Sequence, residues 1–205
     1  MINQDKIIGV LFLLVFPLYG IGSDVILQLD DSSTNSSFIG LMMLFANSFA
    51  VLIIGRYLQS IAIIHDAKSA NIYFIVRFSE ALLLAIYSLI IYDSKIHSAS
   101  NSTETAVTAA ATYKYLYNFA MLGLGIGSFP ILITFKRVKM IPSWLASFGL
   151  LGYCFVAVGV LADLFKIVKE ENIIVMLMIP GALFELTFAS WLIAFGFPEN
   201  EYEAI

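Results

Sequence analysis

Long apolar stretches separated by short polar connectors fill the 205-residue chain. Six of them run Ile7 to Leu27, Phe38 to Ile64, Ile72 to Tyr92, Tyr113 to Phe135, Ser143 to Phe165 and Ile173 to Phe197. Each is close to the roughly 20 residues that a helix needs to cross about 30 Å of hydrocarbon. The pattern predicts an all-α fold, a single integral membrane bundle of six transmembrane helices over residues 1–205 with short loops. Gln28 to Ser37 and Asp93 to Thr112 are rich in Ser, Thr, Asn and Asp and predict exposed loops. Within the second, Thr105 to Thr112 is mostly Ala and Thr and extends the fourth helix toward its N-terminus. The polar Met1 to Lys6 precedes an apolar run as a signal peptide would. No convincing Ala-x-Ala site follows it, so the run is expected to be a retained span.

Composition agrees with this pattern. The chain is 60% hydrophobic and 13% charged, with a mean hydropathy of +0.90, too apolar for a water-soluble domain of this size. Lipid is therefore its expected partner, and six spans leave little chain for a soluble domain. The formal net charge of −4 comes from short acidic segments, Asp30-Asp31, Glu170-Glu171 and Glu199, Glu201 and Glu203. There is no block of Lys and Arg, which argues against nucleic acid as a partner. Cys154 is the single cysteine and has no partner for a disulfide or a thiolate metal site.

Lys136, Arg137 and Lys139 follow the fourth span and Lys68 follows the second, while the loop after the first span has no Lys or Arg. The positive-inside bias then predicts cytosolic N- and C-termini, against which Lys166 and Lys169 argue. Aromatic residues gather at the span ends, with Tyr92, Tyr113, Tyr115 and Tyr117 at one boundary and Tyr57, Tyr73, Trp144 and Trp191 toward the other. They predict two interfacial belts.

A few charges lie inside the apolar helices. Arg77 and Glu80 are three residues apart and share a helix face, Glu185 falls near the middle of the sixth span, and Arg56 lies toward the cytosolic end of the second. An ionised side chain at a span centre costs on the order of 2.5–3.5 kcal/mol on insertion scales, so these residues must pair or meet water. Arg77 with Glu80 or Glu185 is the expected ion pair. Arg56 either joins it, if the second helix runs to Ile64, or snorkels to the interface. Two readings follow. In one, the cluster fixes helix register and nothing more. In the other, it lines a water-accessible cavity that binds a polar ligand or relays protons, with Glu185 as the titrating or cation-binding member.

Pro180-Gly181, one turn before Glu185, deprives a carbonyl near Met176 of its helical donor and predicts a kink beside the site. Phe16-Pro17 and Phe129-Pro130, with Glu80 and Glu185, would correspond in two inverted three-helix halves. Gly123, Gly127, Gly149 and Gly152 predict close helix packing. Asp24 and Asp163 are expected to be solvated residues at span ends. His65 and His97 fall on opposite sides of the membrane, so they hold no common metal or haem. No nucleophile set, His-Glu-x-x-His motif or phosphate loop appears, and no cofactor or metal is expected.

Val76-Arg77-Phe78-Ser79-Glu80-Ala81, Ile141-Pro142-Ser143-Trp144-Leu145-Ala146, Ile179-Pro180, Phe184-Glu185-Leu186, Trp191-Leu192 and Gly196-Phe197 together resemble domain-of-unknown-function family 4386. These are multi-spanning membrane proteins found mainly in bacteria. The resemblance covers most of the chain from the second span onward, with no match over Ser98 to Thr112. It implies a bacterial cytoplasmic membrane and a compact helical bundle, carries no assigned activity, and is most legible at Arg77, Glu80, Pro180, Glu185 and Trp191. The leading expectation is a binding or transport protein for a small polar ligand, a lipid or protons. A structural or accessory membrane subunit is the second, and an intramembrane enzyme using the carboxylate pair is the third.

Overall fold

A computed structural model describes residues 4–28, 34–96, 103–168 and 170–198. Asp30-Asp31, His97, Lys169, Asn101 and the acidic tail from Glu199 lie outside the described residues. The described elements are all helical. They are α1 (Gln4–Gln28), α2 (Thr34–Ala62), α3 (Ala67–Ile96), α4 (Thr103–Gly127), α5 (Phe129–Arg137), α6 (Ser143–Leu164) and α7 (Glu171–Ala194). Six segments are long and apolar enough to cross a membrane, α4 and α5 together forming the fourth. The chain is thus a multi-pass membrane protein with a six-span, all-α bundle.

The fourth span is interrupted, because Pro130 has no N–H to give Ile126 and its ring opposes the preceding turn. The break falls at Ser128, and Pro130 sits in the first turn of α5, where the missing donor costs nothing. Pro17 and Pro180, in contrast, lie inside helices that continue through them. Around Pro180 the chain packs closely against α6. A Cβ on Gly152 of α6 would come within 2.8 Å of the Pro180 carbonyl, and one on Gly181 within 2.4 Å of Val156 Cγ2. The Pro-Gly pair therefore serves the α6–α7 crossing.

Consecutive spans pack side by side, and α7 returns to α1 to close a ring. The larger apolar core is centred toward one end of it, around Phe12, Ile54, Leu58, Phe135, Phe184 and Phe188, and reaches along α6 as far as Val160. A smaller core of Ile26, Leu41, Leu44, Tyr87 and Ile91 fills the other. At the first end Asp5, fully buried, accepts a hydrogen bond from the Tyr57 hydroxyl at 2.5 Å and another from the Phe197 backbone N–H at 2.9 Å. This ties the start of α1 to the segment after α7, where Gly196 takes a positive φ of 68°.

Two expectations about end residues change. Tyr73 and Tyr117 are not interfacial anchors, since Tyr73 is buried against Arg77 and Tyr117 turns into the bundle. Trp144 and Tyr115 do face outward. Asp163 is more than a solvated end residue, accepting hydrogen bonds from Asn118 Nδ2 at 2.6 Å and Lys114 Nζ at 3.0 Å across to α4. Asp24 is exposed, as expected.

Candidate functional site

Between the two apolar cores lies a polar layer centred on Arg77. Because α3 begins at Ala67, Arg77 and Glu80 stand about 15 and 20 Å along the helix, well inside the bundle. Both are buried, at 2% and 3% exposure. Room for Arg77 comes from α2, where Gly55 faces it. A Cβ at Gly55 would lie 2.5 Å from Arg77 Cβ, so any larger residue would push the two helices apart.

The guanidinium is held on two sides by hydrogen bonds and on its faces by aromatic rings. Its Nη1 donates to Glu80 Oε2 at 2.8 Å and its Nε to the Tyr73 hydroxyl at 3.0 Å. Its Cζ lies 5.7 Å from the Phe12 ring centroid and 5.6 Å from that of Tyr73, within cation–π range. Glu185 is held differently. Its Oε1 accepts a hydrogen bond of 2.9 Å from the Tyr153 hydroxyl of α6 and stands 3.9 Å from Arg77 Nη2, a loose ion pair.

Arg77, Glu80 and Glu185 line one cavity of about 160 Å³. Its other walls come from α1, α2 and α4, and include Phe16, Tyr19, Asn47 and Tyr117. Tyr19 and Tyr117 stack with centroids 5.4 Å apart and stand between the cavity and the smaller core. The wall thus carries one guanidinium and two carboxylates.

Three of the sequence-predicted residues therefore meet. Arg56 does not join them, which corrects the first alternative for it. The second helix ends at Ala62, and Arg56 points outward, donating to Gln59 Oε1 at 2.7 Å. It borders a separate surface groove of about 510 Å³ with Gln4, Tyr57 and Ser60. Pro180 and Gly181 do not line the cavity either. Sequence reasoning missed Tyr73, Tyr153 and Asn47. Tyr73 was signalled by its place four residues before Arg77 on the same face. Tyr153 and Asn47 were signalled only as polar groups inside apolar runs. Cys154 faces outward on α6 as a free thiol. Among the described residues no cluster of His, Cys, Asp and Glu could hold a metal ion.

Comparison with curated proteins and with solved structures returned no match. One family model does match, over residues 7–196, nearly the whole chain. The cavity-lining acids, the arginine and, apart from the first three residues of α1, all six spans fall within that stretch, and the chain belongs to the family described as Domain of unknown function (DUF4386).

Proposed function

We propose that this membrane protein binds a small polar ligand or protons in the cavity lined by Arg77, Glu80 and Glu185, as a binding or transport module. The observation that carries the reading is the unequal charge around that cavity. Two carboxylates share one guanidinium, and Glu185 is only loosely paired, at 3.9 Å. A buried charge left without a close partner is costly in hydrocarbon, and such residues mark ion and substrate pathways. Glu185 is the working member, while the tight Arg77–Glu80 pair holds the site together.

A second reading has its own support. Arg77 is so fully engaged by Tyr73, Glu80 and Phe12 that the cluster also suits a purely structural role in an accessory subunit. Reconstituting the protein and its Glu185→Gln variant into proteoliposomes separates the two. Loss of proton or solute flux with an intact fold supports the binding site. Unchanged flux with lowered stability supports the structural role.

The proposed setting is a bacterial cytoplasmic membrane with the termini in the cytosol. Lys136, Arg137, Lys139 and Lys68 support this orientation, lying at the end of the bundle where Asp5 meets Phe197.

A further inference from the structure

One polar group on the cavity wall is not used by the Arg77 network. Asn47 of α2 is 2% exposed and lines the cavity, and its Oδ1 has no hydrogen-bond partner. Buried polar atoms are almost always paired, because an unpaired one has given up its hydration for nothing. An unpaired amide oxygen on a residue that lines a cavity can serve a ligand's donor once the amide turns it to the opening. An amide can also rotate to present its NH₂, so Asn47 alone does not fix the ligand's polarity.

The charges do fix it. Arg77 is the one cation on this wall; its Nη1 and Nε donate to Glu80 and Tyr73, its Cζ lies against the Phe12 ring, and its Nη2 is turned to Glu185 at 3.9 Å. An anion entering here would meet two carboxylates and only the Nη2 edge of one guanidinium, an edge that Glu185 already faces. Glu80 Oε1 and Glu185 Oε2, in contrast, accept no hydrogen bond from the described residues. The remaining wall is mostly apolar and aromatic, which suits an organic cation better than a hydrated ion. The volume of about 160 Å³ is close to that of a cavity of about 150 Å³ known to admit benzene.

Taking the cavity as a ligand site, we propose that it receives a small organic monocation, an ammonium with N–H donors and a body of about six to eight non-hydrogen atoms. Its N–H groups pair with Asn47 Oδ1 and the open oxygens of Glu80 and Glu185. Its hydrocarbon lies along Phe16, Tyr19 and Tyr117. The charge it brings balances the second carboxylate.

The test uses the full-length protein in lipid nanodiscs and three probes of one shape, benzylammonium, toluene and benzoate. Benzylammonium is expected to bind saturably, with no competition from the other two. Glu185→Gln and Asn47→Leu are each expected to weaken it by about tenfold or more, the loss of one charge-assisted hydrogen bond. Asn47→Leu removes an unpaired polar atom at similar volume, so it is expected to melt no lower than the wild type, which separates lost binding from lost folding. Competition by benzoate or toluene would overturn the cationic class while leaving a ligand site in place. Absent saturable benzylammonium binding, or binding equal in both variants, would overturn the proposal. Unchanged flux in Glu185→Gln proteoliposomes would in addition remove the reading beneath it.

Discussion

The Tyr153 hydroxyl donates a 2.9 Å hydrogen bond to Glu185 Oε1, the same oxygen that Arg77 Nη2 approaches only to 3.9 Å. A neutral donor on α6, more than the guanidinium on α3, thus holds the acid of α7. Removing that donor leaves a buried acceptor short of a partner. Tyr153→Phe is expected to cost about 1–3 kcal/mol in thermal or denaturant unfolding in detergent. A variant as stable as the wild type would mean that the cavity, not Tyr153, satisfies Glu185.

Arg77 is expected to be the most sensitive position in the layer. Arg77→Met leaves two buried carboxylates without their cation, and breaking such a pair costs about 3–5 kcal/mol. Adding Glu80→Met should recover most of this, because a buried ion pair replaced on both sides by apolar groups is often near neutral. Comparing the unfolding of the single and double variants checks it. No recovery would show that Arg77 serves Glu185 more than Glu80.

Gly55 is expected to tolerate no side chain. Gly55→Ala places a Cβ 2.5 Å from Arg77 Cβ, so α2 and α3 must separate, with an overpacking cost of about 1–3 kcal/mol. The same shift moves Arg77 relative to Glu80, and ligand binding should fall along with stability. Melting and binding measured on one preparation test the coupling.

Outside the membrane, Asp66 caps α3. Its carboxylate accepts the Ser69 backbone N–H at 3.1 Å and the Ser69 hydroxyl at 2.8 Å, and is approached by Thr134 and Arg137 from α5. The Ser69 N–H, then the Ser69 hydroxyl, Thr134 and Arg137, hold this carboxyl below its usual value of 3.8. A lowered folded value means that the stabilisation is complete above the unfolded pKa and is lost as pH falls through the folded one. The difference in melting temperature between wild type and Asp66→Asn should be largest near neutrality and should close below pH 3.8. A difference independent of pH would contradict the capping role of the charge.

Much of this was legible in the sequence, and the physical reason is the cost of charge in lipid. Arg77, Glu80 and Glu185 stand out because nothing else in their spans is ionised. The six spans stand out because length and apolarity suffice to define them. What the sequence does not carry is helix rotation about the ring. Nothing local separates an inward Tyr73 from an interfacial one, or an outward Arg56 from an inward Arg77, since both arginines sit in apolar runs. Gly55 and Asn47 matter only through what faces them from another helix. Pro180 reads as a kink beside the site; that its carbonyl abuts Gly152 is a contact between two spans that are adjacent only after folding, so no local pattern carries it.

If the Arg77 layer borders a cavity that water and a cation can enter, a thiol placed on its wall will react accordingly. Introducing Asn47→Cys in a Cys154→Ser background leaves one thiol on the cavity wall, open to a water-soluble trimethylammonium methanethiosulfonate reagent. The folded protein is expected to react with this cation faster than with a sulfonate analogue, and benzylammonium is expected to slow the reaction. A thiol inert in the folded protein but fully reactive after denaturation would contradict it.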